Sequence, residues 1–98
     1  MRLTNFEQNS IKETFTETFK SGKIYLFGSR TDDTQRGGDI DLYIVLDYQE
    51  SPEILFDKKI EFLGKLQNKI GEQKIDVIIS KDKNRAIEKE AFSTGIEL

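Results

Sequence analysis

Cysteine, histidine and tryptophan are all absent from this 98-residue chain, and proline occurs once, at Pro52. Without cysteine there are no disulfides and no thiolate nucleophile. Without histidine the usual general base and the commonest zinc ligand are gone. Any catalysis has to run on carboxylates, hydroxyls, lysine or arginine. Any bound metal has to accept oxygen ligands, which points to Mg2+ or Mn2+. Long apolar runs are also missing, and none approaches the roughly 18–20 residues that span a bilayer. Nor does a charged-then-apolar leader open the chain, so a cytoplasmic protein without membrane association is expected. Net charge is −3 with a pI near 5.0. That balance gives no support to a general affinity for nucleic-acid phosphate, which comes from clustered Lys and Arg. A 36% apolar content and a mean hydropathy of −0.57 suit one small domain, residues 1–98, around a modest core.

What is present is strongly patterned. Thr4-Asn5-Phe6-Glu7 fits a capping box, and Ile11, Phe15 and Phe19 then recur at helical spacing, with Gly22 placed to stop the helix. Lys23 to Phe27 reads as a short strand. Asp39 to Leu46 reads as a second, with Ile40, Leu42, Ile44 and Leu46 on one face and Asp39, Asp41, Tyr43 and Val45 on the other. Ser51-Pro52 opens a long helix that Gly71 is placed to end. Its apolar side is expected to be Phe56, Ile60, Leu63 and Ile70, with Leu66 nearby. Gly64 inside it costs about 1 kcal/mol relative to Ala, through either a close neighbour or tolerated drift. Lys74 to Ser80 is a third strand, with Asp76 on the face opposite Ile75, Val77 and Ile79. Ser80 or Asp82 could cap a last helix carrying Ala86, Ile87, Ala91 and Phe92, closed by Gly95. The order α-β-β-α-β-α predicts an α/β (α+β) fold, a small mixed sheet with helices packed on it.

The decisive feature is Gly28-Ser29, nine residues, then Asp39-Ile40-Asp41-Leu42. Alternate side chains of a strand share a face, so Asp39 and Asp41 point the same way with Cα atoms roughly 6.5–7 Å apart. That spacing suits carboxylates gripping hard cations. A Gly-Ser turn beside them suits a phosphate chain: Gly28 lets a ligand approach without a Cβ, and Ser29 could open a helix with free N–H groups and donate its hydroxyl. Arg30 is near enough to add charge, whereas Arg36 reads as a solvated loop residue. For Asp76 alone a solvated strand face is the default reading. The conjunction of three acids able to converge on one sheet face shifts that balance, since like charges at 4 Å repel by about 4 kcal/mol at an effective dielectric near 20. Tyr25 and Tyr43 are expected to pack on the sheet face rather than to hold a base.

At these residues the chain resembles the minimal nucleotidyltransferases of the DNA polymerase β-like superfamily: Gly-Ser, a spacer, Asp-x-Asp, and a third acid on a later strand. Gly28-Ser29, Asp39, Asp41 and Asp76 carry the likeness, which runs from the first helix to Gly95. The resemblance implies a polymerase β-like fold and ATP as donor of AMP to a hydroxyl. It implies two Mg2+ (or Mn2+) ions held by Asp39, Asp41 and Asp76, with Asp76 a candidate general base. Gly28 and Ser29 correspond to the triphosphate-binding turn, and Arg30 is a further phosphate contact. It also implies a helical HEPN-type toxin as partner, to which such a protein is the antitoxin. With no second domain in the 98 residues, the acceptor surface has to come from a partner protein or from a homodimer of the chain itself. Two other readings stay open: an antitoxin that neutralises by binding alone, and a transferase acting on a small alcohol.

Overall fold

The computed structural model describes residues 3–31 and 38–98. Helix α1 runs Asn5–Phe19, strand β1 Lys23–Phe27, strand β2 Ile40–Val45 and helix α2 Pro52–Ile70. Strand β3 is Ile75–Ile79, helix α3 Ala86–Thr94 and strand β4 Ile96–Glu97. A 3-10 turn, Gly28–Thr31, leaves the end of β1. The sheet order is β3-β2-β1-β4. β1 pairs antiparallel with both β2 and β4, while β2 and β3 are parallel. A parallel pair cannot be joined by a hairpin, and α2 supplies the crossover. The sheet is therefore mixed, as the element order predicts.

The capping box forms as expected. The Glu7 N–H donates to Thr4 Oγ1 at 3.0 Å, and the Thr4 N–H donates to Glu7 Oε1 at 3.0 Å. Two orphan donors at the start of α1 are thereby satisfied. The helix ends earlier than Gly22, at Lys20, whose φ is 74°. Gly22 instead lets the chain pass β2, where a Cβ would run into the Val45 carbonyl. In α2, Ser51 caps Ile54 N–H, Pro52 takes the first turn and Gly71 closes the end.

The phase of α2 differs from the sequence reading. Phe62 and Leu66 are fully buried, whereas Phe56 is 63% exposed and Ile60 55%. Six residues separate Phe56 from Phe62, about 240° around a helix, so the two cannot share one face. Packing against α1 selects Phe62, whose ring stands 5.9 Å from that of Phe19. Gly64 meets no neighbour, since a Cβ there would find nothing within 4 Å. The close-approach explanation for that glycine falls away.

The main core joins Ile11, Phe15 and Phe19 of α1 and Phe62 and Leu66 of α2 to the even-numbered face of the sheet. Ile40, Leu42 and Ile44 are each fully buried there. Burying a side chain of this size contributes about 1.5–3 kcal/mol. Among the described residues the opposite face carries α3 alone, through a smaller cluster of Phe27, Tyr43 and Ala91. Two expectations about this end are corrected. Neither Ser80 nor Asp82 caps α3: the cap position is Arg85, with no side-chain cap, and Asp82 spends its carboxylate on Asn84 N–H. The helix begins only after that turn closes. Beyond Gly95, Ile96–Glu97 adds an edge strand on β1, with Leu98 N–H donating to Ile24 O at 2.9 Å. Two residues are too few for any alternation to register in a sequence. Among the described residues no helix is long and apolar enough to cross a membrane.

Candidate active site

Strand register builds the site. Asp41 stands opposite Phe27 on β1 and opposite Asp76 on β3. Directly paired residues on neighbouring strands lie on one face about 4.8 Å apart. Asp41 and Asp76 therefore share the face away from the main core, and their carboxyls come within hydrogen-bonding reach of one another. Partial burial pushes the Asp41 carboxyl up from its ordinary value, and the charges of Asp76 and Asp39 and the hydrogen bond with Asp76 push it further. Lys74 offsets part of this.

Gly28 closes the site from the β1 side. Its φ is +77°, and a Cβ there would collide with Asp41 Oδ2 and lie 3.1 Å from Cγ. The glycine is required both for the left-handed backbone and for the space the carboxylate occupies. Thr31 Oγ1 donates to the Gly28 carbonyl at 2.7 Å and closes the short turn. The backbone of Ser29 lies in that turn, next to Gly28. The side chain of Ser29 lies outside the described residues, as does Arg36.

Asp39 and Arg30 both meet protein partners. Asp39 immediately precedes β2 and is drawn to Lys74, with Nζ–Oδ2 at 3.3 Å. Among the described residues no three acidic side chains are gathered as a ready metal cage. The donor chemistry nevertheless fits a hard cation. Three carboxylates lie within mutual electrostatic reach, two of them adjoining, with oxygen as the only ligand type. The Lys74 side chain that pairs with Asp39 is itself 74% exposed. Arg30 donates through Nε to Gly38 O at 3.4 Å and through a terminal nitrogen to Gln73 Oε1 at 3.5 Å. It thereby links the turn after β1 to the loop before β3.

Two functional neighbours escaped the sequence reading. Lys74 was legible in principle, because it sits two residues before Asp76 on the same strand face. Glu88 was not, since its position on α3 looks like any solvated acid. It is fully buried, and it accepts from Tyr43 Oη at 3.0 Å, Ser80 Oγ at 2.6 Å, and the N–H groups of Lys81 and Asp82 at 3.1 and 2.8 Å. Burial alone would raise its pKa, but these donors outweigh it and hold the carboxylate at about 2. Glu88 ties α3 to the ends of the strands that carry Asp41 and Asp76.

The family model for polymerase beta nucleotidyltransferases matches residues 9–98. This chain belongs to that family. The nucleotidyltransferase is also similar to a solved structure, the crystal structure of the toxin-antitoxin MntA-HpeT in a doubly Asp-to-Glu mutated form. The TM-score is 0.67 at 17% identity, covering 92% of this chain and 70% of the other. At that identity the likeness is one of fold, and it agrees with helices packed on a mixed four-stranded sheet in the polymerase β-like manner. No curated protein matches the chain by sequence.

Proposed function

We propose that this nucleotidyltransferase acts as one domain over residues 1–98 and moves AMP from ATP to a hydroxyl of a partner protein, a HEPN-type toxin to which it is the antitoxin. The observation that carries the reading is Asp41 facing Asp76 across the parallel strand pair, with Gly28 against the Asp41 carboxylate. In the transfer, the acceptor oxygen forms a bond to the α-phosphorus. The bond from that phosphorus to the bridging oxygen breaks, and pyrophosphate leaves with the electron pair. The acceptor proton passes to a carboxylate oxygen of the Asp41–Asp76 pair; Asp76 is the more exposed of the two and the better placed to meet an incoming hydroxyl. Asp39, Asp41 and Asp76 would hold Mg2+ or Mn2+, which neutralises charge on the attacking and leaving sides of such a displacement. Gly28 lets the triphosphate approach the backbone, and Ser29 and Arg30 are assigned to it on the motif alone. The toxin assignment draws on the family resemblance and on the fold shared with the MntA-HpeT structure.

The test incubates the chain with labelled ATP, Mg2+ and the candidate toxin. Label on the toxin that disappears in Asp41→Asn supports catalysis. Neutralisation that survives in Asp41→Asn without label supports masking, and turnover on a small alcohol by the chain alone supports the third reading. In parallel, Mn2+ is expected to raise the melting temperature of the wild type and not that of Asp41→Asn. Without metal the variant is expected to be at least as stable as the wild type, because it removes the charge that Asp76 and Asp39 oppose. Equal metal responses in the two proteins would remove the site.

A further inference from the structure

Two grooves meet on this molecule. The first, about 620 Å³, is the site itself and includes Gly28, Asp41 and Asp76. The second, about 800 Å³, runs from the N-terminal half of α2 to the turn that follows β3. They share Lys59, Val77 and Ile78, so the second opens directly off the carboxylates. Its apolar wall includes Leu55, Phe56 and Val77, and Phe56 is 63% exposed. Ile60, one turn along α2 from Phe56, is 55% exposed. A phenylalanine and an isoleucine left in water at helical spacing form a face that α1 does not cover.

The charge on this groove opposes that of the whole molecule. Lys59, Lys81 and Lys83 line it in a chain of net charge −3, together with Arg85, which is paired with Glu88 at 3.7 Å. The acid among its lining residues is Glu50, which is already paired with Lys58 at 3.5 Å. A concave apolar wall rimmed by cations fits an acidic segment with apolar side chains. A nucleic-acid strand fits less well, because the remaining surface is net negative and the wall is mostly aliphatic.

We propose that this groove docks an acidic, apolar segment of the acceptor protein and so delivers its hydroxyl to Asp41 and Asp76. The proposal rests on the reading of a protein acceptor, and deepens it by naming the surface and the chemistry it selects. Phe56 supplies the apolar anchor. Lys81 and Lys83 supply the charge that fixes the direction in which the segment lies. Lys59, at the junction of the two grooves, faces the last acidic residue before the hydroxyl.

The experiment separates docking from transfer by measuring binding without ATP. A fluorescent peptide carrying glutamates and leucines around one tyrosine is titrated with the full chain and followed by anisotropy. The same peptide with lysine in place of glutamate, and a single-stranded oligonucleotide of equal length, are run alongside. The acidic peptide is expected to bind more tightly than either. Lys81→Glu combined with Lys83→Glu should weaken it about tenfold, the sum of two modest rim charges each reversed in sign. Phe56→Ala should weaken it independently of salt. Both variants change exposed positions, and retention of the Mn2+-induced melting shift confirms that the fold and the carboxylates are intact. Equal binding of acidic and basic peptides, preference for the oligonucleotide, absence of binding, or indifference to the charge reversal overturns the proposal. If the acidic peptide binds and its tyrosine is not modified when ATP and Mg2+ are added, the docking surface stands and the transfer reading fails.

Discussion

Gly28→Ala makes two separable demands on the structure. The first is conformational: at φ +77° a residue with a Cβ sits in the left-handed region, which costs roughly 1–2 kcal/mol. The second is a collision, because the new methyl would overlap Asp41 Oδ2 and lie 3.1 Å from Cγ. Moving the carboxylate off its rotamer to relieve this adds about 0.5–1.5 kcal/mol. The expected total is about 2–3 kcal/mol, which in a domain of this size lowers Tm by roughly 10–15 °C. A double-mutant cycle isolates the collision. In an Asp41→Ala background the clash with Oδ2 and Cγ is gone and the backbone cost and a 3.3 Å approach to Cβ remain, so Gly28→Ala should cost about 1 kcal/mol less there than in the wild type. Urea or thermal unfolding of the four proteins measures this. The same variant should blunt the Mn2+-induced stabilisation of a protein that retains all three acids. Identical costs in the two backgrounds would refute the placement of the Asp41 carboxylate against Gly28, and with it the geometry on which the site depends.

Glu88→Gln is expected to destabilise at neutral pH by about 3 kcal/mol, the scale set by a carboxylate held near 2 instead of 4.5. The depressed pKa means that this stability is present above about pH 4.5 and is lost as pH falls toward 2; the gap between wild type and variant should therefore close over that window in acid-unfolding curves. Phe62→Ala should cost about 3–5 kcal/mol and Phe56→Ala close to nothing, and comparable losses for the two in urea titrations would overturn the observed phase of α2. Gly64→Ala should stabilise by about 0.5–1 kcal/mol, since the position is helical and open; a fall in Tm would reveal a neighbour that the structure does not show.

How much of this was legible beforehand depended on whether a residue's partner was local. Thr4 and Glu7, or Ser51 and Pro52, act within one turn, and both helix starts formed as the pattern predicts. The alternation in β2 assigned Ile40, Leu42 and Ile44 to the core, and all three are there. The same period placed Asp41 and Asp76 on one face, and the register brings them side by side. Where a sequence offers competing apolar positions, tertiary packing decides: Phe56 and Phe62 are equally hydrophobic, and only the location of Phe19 selects the second. Glu88 was beyond reach for a related reason. Its donors come from β2, from the end of β3 and from the following turn, so nothing within α3 marks it. Lys74 illustrates an intermediate case, since its strand face was readable and its bond to Asp39 required knowing that β2 and β3 run parallel.

The unequal loading of the sheet has a dynamic consequence. One side is clamped by α1 and α2 through the main core, while α3 holds the other through Ala91, a few aromatic contacts and the Glu88 network. Raising α3 would give up few apolar contacts but would break the four hydrogen bonds to Glu88, so that network sets the cost of any opening. Amide exchange in α3 should then outpace exchange in β1 and β2. If α3 opens ahead of the strands, the groove it shares with Asp41 and Asp76 widens while the paired strands that carry them stay in place.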